Sequence, residues 1–244
     1  MTSINRDTAL RLIKDIRYLK KNPLHDNGIY YEHDEEDMLH GKAMILGPSD
    51  SPYQYGFYFF KFEFTNNYPH EPPKLTYYTQ GDNIRFHPNL YRSGKVCVSI
   101  LNTWKGEQWS SCQTISSILL TLISLLHNKP LLNEPGITET HYDFNKYNQI
   151  ISFKNFEHAI INVFYSLNSK QEELNKYSDF YCFKETVINK LEENIDKIIK
   201  TMKNIYNNNK EVITVKTNLY SMSITIDYKN LLKQMKTIKK TLKE

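Results

Sequence analysis

Residues 86–101 read FHPNLYRSGKVCVSIL, and their types and spacing point to covalent chemistry. Cys97 lies eight residues after Asn89, which itself follows His87-Pro88. A thiolate is a strong nucleophile, and a free thiol of pKa about 8.5 keeps a minor fraction ionised at neutral pH. An amide such as Asn89 can brace a loop or donate to a developing oxyanion. These residues alone leave a second reading open, because a lone cysteine between Val96 and Val98 is also an ordinary core residue. Zinc fails on spacing: Cys97, Cys112 and Cys182 form no C-x-x-C pair, and no helix carries paired histidines. No glycine-rich phosphate loop opens a helix. His87 and His127 are bases by type for a thiol protease, yet no protease signature surrounds Cys97.

The elements that must position this stretch follow from periodicity. Residues 4–19 predict an amphipathic helix, with Ala9, Leu12, Ile13, Ile16 and Leu19 at helical spacing and Asn22-Pro23 ending it. Residues 28–32, 42–46, 57–64 and 74–79 predict four strands with short connections, hence an antiparallel meander. Residues 113–126 predict a helix buried against a sheet, opened by the capping box Ser110-x-x-Gln113. Burial at that helix start accounts for Cys112. Residues 147–164 predict a further helix. This order argues for an α+β domain.

Beyond residue 168 the texture changes. Ile188, Leu191, Ile195, Ile198, Met202 and Ile205 alternate steps of three and four, and an Asn-rich break at 207–210 ends them. Residues 211–226 are strand-like, and 227–242 predict a last helix. We expect a core at 1–167 and an extension at 168–244, built as helix, strand pair and helix and packed on the core.

Bulk properties set limits. The chain has 244 residues, 40% hydrophobic and 24% charged, with a formal net charge of +4. That bias is too mild to imply nucleic acid. The charge is uneven: residues 1–25 carry six basic side chains against two acidic ones, and 229–244 carry six lysines against Glu244. Glu32, Asp34, Glu35, Glu36 and Asp37 form an acidic patch between them. An odd, scattered cysteine set makes no disulfide framework, the opening residues show no secretory pattern, and no apolar run spans a bilayer. A reducing setting, cytoplasmic or also nuclear, is expected, with no membrane and no nucleic acid as partner.

The ordered set of motifs separates the two readings of Cys97. Tyr68-Pro69-x-x-Pro72-Pro73 comes first, then His87-Pro88-Asn89, then Cys97, then Trp109-Ser110. This order, behind an amphipathic helix and four strands, resembles the ubiquitin-conjugating enzyme family over about residues 3–165. Within that family the chain is most similar to one subgroup. The resemblance lies in the block RFHPNLYRSGKVCVSILNTWKGEQWSS, in TISSILLTLISLL and NEPG, and in the late ITIDYKNLLKQMKTIKK. Short insertions before His87 and between Cys97 and Trp109 support the same subgroup.

The resemblance implies the ubiquitin-conjugating fold and an acyltransferase. Ubiquitin would pass from an activating enzyme to Cys97 as a thioester, and then to a lysine or a ligase. No cofactor or metal is implied for this chain, since ATP is used by the activating enzyme. Asn89 would serve the oxyanion or the loop, while His87 and Pro88 would shape the turn. Tyr68, Pro69, Pro72, Pro73 and Trp109 would be structural. Glu134 matches a position that is often Asp beside the acceptor lysine, where a carboxylate would orient the amine. Ser99 holds a position that is often acidic and would act as a gate. On the basic first helix, Arg6, Lys14 and Arg17 would dock the activating enzyme. Two departures, His70 after Tyr-Pro and Ser111-Cys112 after Trp-Ser, put ordinary ligase docking in question. A carrier of another ubiquitin-like modifier and a non-catalytic ubiquitin-binding scaffold are the other readings.

Overall fold

The computed structural model describes residues 4–169, 176–208 and 210–243. Ser3, where the resemblance begins, Asn209 in the Asn-rich break and Glu244 lie outside the described residues. Helix α1 spans Arg6–Lys21 and is capped by the Asn5 side chain, which accepts the Asp7 backbone N–H. Its inner face buries Thr8, Leu12, Asp15 and Leu19, a four-three-four spacing on one stripe. Four strands follow: β1 Ile29–His33, β2 His40–Leu46, β3 Phe57–Glu63 and β4 Lys74–Tyr77. They pair antiparallel in sequence order, the meander that the short connections demand. Thr79 falls beyond β4, but its hydroxyl accepts the Phe59 N–H and donates to the Phe57 carbonyl, extending the pairing through a side chain.

Strand β3 reads FYFFKFE, apolar on both faces apart from its charged end, because both faces are covered. Phe59 meets Tyr177, Phe180 and Phe183, and Lys61 pairs with Asp179, all from the chain beyond residue 168. On the other face Tyr58 meets Tyr53 and Phe86, and Phe62 meets Tyr31.

Helix α2 spans Ile115–Leu125 and begins later than its sequence suggests. The capping box is Thr114-x-x-Ser117, not Ser110-x-x-Gln113. The cause lies on α1: the Arg11 guanidinium takes the carbonyls of Ser111 and Gln113, so the chain stays in a turn there. Cys112 sits in that turn and is exposed, which corrects its expected burial.

The next helical stretch runs as α3 Phe144–Lys154, a π-helical segment Asn155–Asn162 and α4 Val163–Asn168. The wider turns begin where the Asn155 side chain accepts the Tyr58 hydroxyl and donates to the Gln54 carbonyl. Helix α5 Lys184–Asn208, the antiparallel hairpin of β5 Ile213–Thr217 and β6 Met222–Ile226, and α6 Tyr228–Thr241 complete the chain. The hairpin tip docks on α3 through Asp143, whose carboxylate takes the backbone N–H groups of Asn218 and Leu219. The expected α+β architecture is present. No described helix is long and apolar enough to cross a membrane.

Candidate active site

Cys97 and the His-Pro-Asn turn are bound to each other by a reciprocal pair of hydrogen bonds. The Cys97 N–H donates to the Asn89 carbonyl (2.8 Å), and the Asn89 side-chain Nδ2 donates to the Cys97 carbonyl (2.6 Å). Bridges between His87 and Leu90 and between Leu90 and Val96 close the same loop. The eight-residue interval is therefore the length of a loop that returns the cysteine to the asparagine. Cys97 is 2% exposed and Asn89 is 8% exposed.

His87 lies fully buried behind this pair, and its Nδ1 accepts the Asn89 N–H at 3.0 Å. That bond puts the ring proton on Nε2. Burial, with His127 and Arg85 nearby, lowers its pKa from 6.5 to about 3. Between these values the unfolded ring takes up a proton that the folded ring refuses. Stability from this group is thus complete above pH 6.5 and falls as the pH drops. We expect about 3 kcal/mol to be lost by pH 4.5. Urea midpoints at pH 7 and 4.5 should diverge more in the native chain than in His87→Asn. Parallel pH profiles would contradict the assignment.

The network continues to residues far from this stretch in the chain. Asn133 Nδ2 donates to Asn89 Oδ1 (3.5 Å), and Asn133 Oδ1 pairs with His127 Nε2 (2.9 Å). Glu134 follows directly and accepts a hydrogen bond from the Tyr220 hydroxyl of the β5–β6 hairpin. Asn133, His127 and Tyr220 are thus drawn to the site by tertiary packing. Ser99 is half-buried at the start of a short 3-10 turn. The exposed loop 102–108 folds over it, so that a Cβ at Gly106 would stand 3.0 Å from the Ser99 Cβ. Gly106 has φ +130°, which an L side chain rarely adopts.

The structural motif residues form one joint. The Trp109 indole N–H donates to the Pro69 carbonyl (2.7 Å), and its backbone N–H donates to the Asn102 side chain. Tyr68 is buried against Trp109 and Phe64, and its hydroxyl donates to Asp15 on α1. Burial and that carboxylate hold the phenol well above its ordinary pKa. Arg11 pairs with Asp15 (3.0 Å) and closes the joint. Pro72 and Pro73 line a neighbouring groove with Lys95 and Val96. By contrast, Arg6, Lys14 and Arg17 are exposed, and no ion pair engages them among the described residues. His70 and Ser111, the two departures, touch at 3.3 Å on the surface.

Asp82, Glu157 and His158 come together elsewhere with ligand-type atoms within 4.8 Å. The Lys154 ammonium already donates to both carboxylates, which offsets one of their two negative charges and occupies the oxygens a metal would take.

With fold and site together, the chain belongs to the ubiquitin-conjugating enzyme family, whose model matches residues 11–155. It is similar to "Ubiquitin-conjugating enzyme E2 Z" of Danio rerio, 37% identical over 191 residues, covering 75% of this chain and 58% of that protein. The human protein of the same name is 41% identical over 154 residues, covering 62% of this chain and 43% of that protein. "Probable ubiquitin-conjugating enzyme protein 17" of Caenorhabditis elegans is 36% identical over 195 residues, covering 75% and 25%. The chain spans about half the length of the E2 Z proteins it matches.

Proposed function

We propose that this chain is a Z-type ubiquitin-conjugating enzyme carrying ubiquitin as a thioester on Cys97. Residues 1–167 form the catalytic core and 168–244 the extension. The observation that carries the reading is the reciprocal bonding of Cys97 and Asn89 behind the His87-Pro88 turn.

Loading is a thioester exchange. Cys97 Sγ attacks the carbonyl of the activating enzyme's thioester, the new S–C bond forms, and the activating enzyme's sulfur leaves as thiolate. In transfer, a lysine amine attacks the Cys97 thioester, a C–N bond forms, the amine loses a proton and Cys97 thiolate departs. One Asn89 N–H already holds the Cys97 carbonyl; the other has no partner among the described residues and is available to the oxyanion that develops beside it. The Glu134 carboxylate orients the incoming amine. Because Cys97 is nearly enclosed, loading has to uncover its sulfur. The modifier is chosen with the activating enzyme, and a ligase is a further partner. A reducing cytoplasmic or nuclear setting suits a free thiol.

The test is a charging assay with activating enzyme, ATP and ubiquitin, read on gels with and without reductant. A reductant-sensitive adduct supports the reading, and its absence with active partners removes it. The α1 cations give a second result. Reversing Arg6, Lys14 and Arg17 to Glu should slow charging about tenfold at low salt, and less at 0.5 M salt, while discharge of loaded protein stays unchanged. Equal charging rates would leave the helix face with no part in docking.

A further inference from the structure

The β5–β6 hairpin tip takes part in a closed circuit of contacts around the candidate active site. Arg85 donates from Nε to the His87 carbonyl (3.1 Å) and from Nη2 to the Pro88 carbonyl (2.6 Å). The same guanidinium lies over the Tyr91 ring at 3.3 Å and 5.2 Å from the Tyr220 ring. Tyr220 bonds Glu134, Glu134 follows Asn133, and Asn133 bonds Asn89. The circuit returns to the turn that holds Cys97.

The tip is held firmly. Asp143 takes two of its backbone N–H groups, and Arg92 donates to the Tyr220 carbonyl. Tyr147 packs against the Tyr220 ring and donates its hydroxyl to the Arg85 carbonyl (2.7 Å). Tyr220 and Ser221 both have positive φ, +61° and +47°. Glycine or asparagine adopts that conformation with less strain, so local backbone preference opposes a tyrosine here. What the tyrosine supplies is its side chain. Burial and the Glu134 carboxylate hold its phenol well above the ordinary pKa, so it remains a donor across the working range.

We propose that Tyr220 is a positioning residue for transfer: its hydroxyl fixes the Glu134 carboxylate and thereby brings the C-terminal extension into the acceptor site. One carboxylate oxygen is held by the phenol, which leaves the other for the attacking amine. The inference rests on the reading of Glu134 as the residue that orients the acceptor lysine.

The experiment uses the full chain charged with ubiquitin, then chased with free lysine or with hydroxylamine in single turnover. The variants are Tyr220→Phe, Glu134→Gln and the double variant; the phenylalanine keeps the ring and its packing. Charging should match the native chain, and melting temperatures should agree closely. Tyr220→Phe should discharge to saturating lysine about tenfold more slowly, with the half-saturating lysine concentration unchanged. Hydroxylamine, a small and reactive nucleophile, should discharge both single variants at near-native rates. The double variant should be no slower than Glu134→Gln, because one hydrogen bond links the two residues. Native discharge by Tyr220→Phe alongside slow Glu134→Gln overturns the positioning role alone. Multiplying defects also overturn it, since Tyr220 would then act independently of Glu134. Native discharge by Glu134→Gln removes Glu134 from the site and this inference with it.

Discussion

Cys97→Ala should form no reductant-sensitive adduct with ubiquitin, a fall of about a thousandfold or more below the native chain. The substitution should leave the fold in place, because it removes one sulfur atom from a closely packed site and costs about 1–2 kcal/mol. Thermal melting separates loss of chemistry from loss of structure. No other cysteine shares the setting of Cys97. Cys182 is exposed as a residue, but desolvation of its sulfur pushes the thiol up to about 11, so it stays protonated at neutral pH. Cys112 lies in the turn before α2, held there through the Arg11 contacts to its neighbours. A full-strength adduct on Cys97→Ala would remove the assignment.

Asn89→Ala should slow discharge to lysine about 100-fold while charging stays within severalfold of native. The substitution removes the 2.6 Å donor to the Cys97 carbonyl and the acceptor that Asn133 meets. An unpartnered buried carbonyl costs about 1–3 kcal/mol, so the melting temperature should fall as well. The two effects come apart by design. A variant that melts lower yet discharges at the native rate would confine Asn89 to bracing the loop. Slow discharge out of proportion to the stability loss would place its amide at the reacting carbonyl. Single-turnover chase of protein charged beforehand gives both numbers on one sample.

The α+β order was legible because each element carries its own signal. The strands alternate or run apolar, the helices repeat every three or four residues, and Pro and Gly mark the turns between them. The interval from Asn89 to Cys97 was legible for the same reason, as a contact within one short loop. What sequence did not expose depends on residues far apart along the chain. Arg11 and Asp15 join α1 to Tyr68 of the Tyr-Pro segment, and nothing in the local pattern of those two distinguishes them from other polar residues of the helix. The same Arg11 moves the start of α2 to Thr114, overriding a capping pattern at Ser110 that is reasonable on its own. Tyr220 and Glu134 are 86 positions apart, and a strand-like stretch beyond residue 210 gives no reason to pair them. The π-helical turns at Asn155 answer to Tyr58 and Gln54, again across about a hundred residues.

Accessibility alone argues against Cys97 as the carrier of the modifier: Cys97 is 2% exposed, whereas Cys112 and Cys182 are both exposed. The most direct measurement uses a chain whose only cysteine is Cys97, made by Cys112→Ala and Cys182→Ala, charged with ubiquitin and mapped by mass spectrometry. Native charging is expected, with a reductant-labile adduct on the peptide containing Cys97. An uncharged variant, with the adduct of the native chain mapping to Cys112 or Cys182, would contradict it.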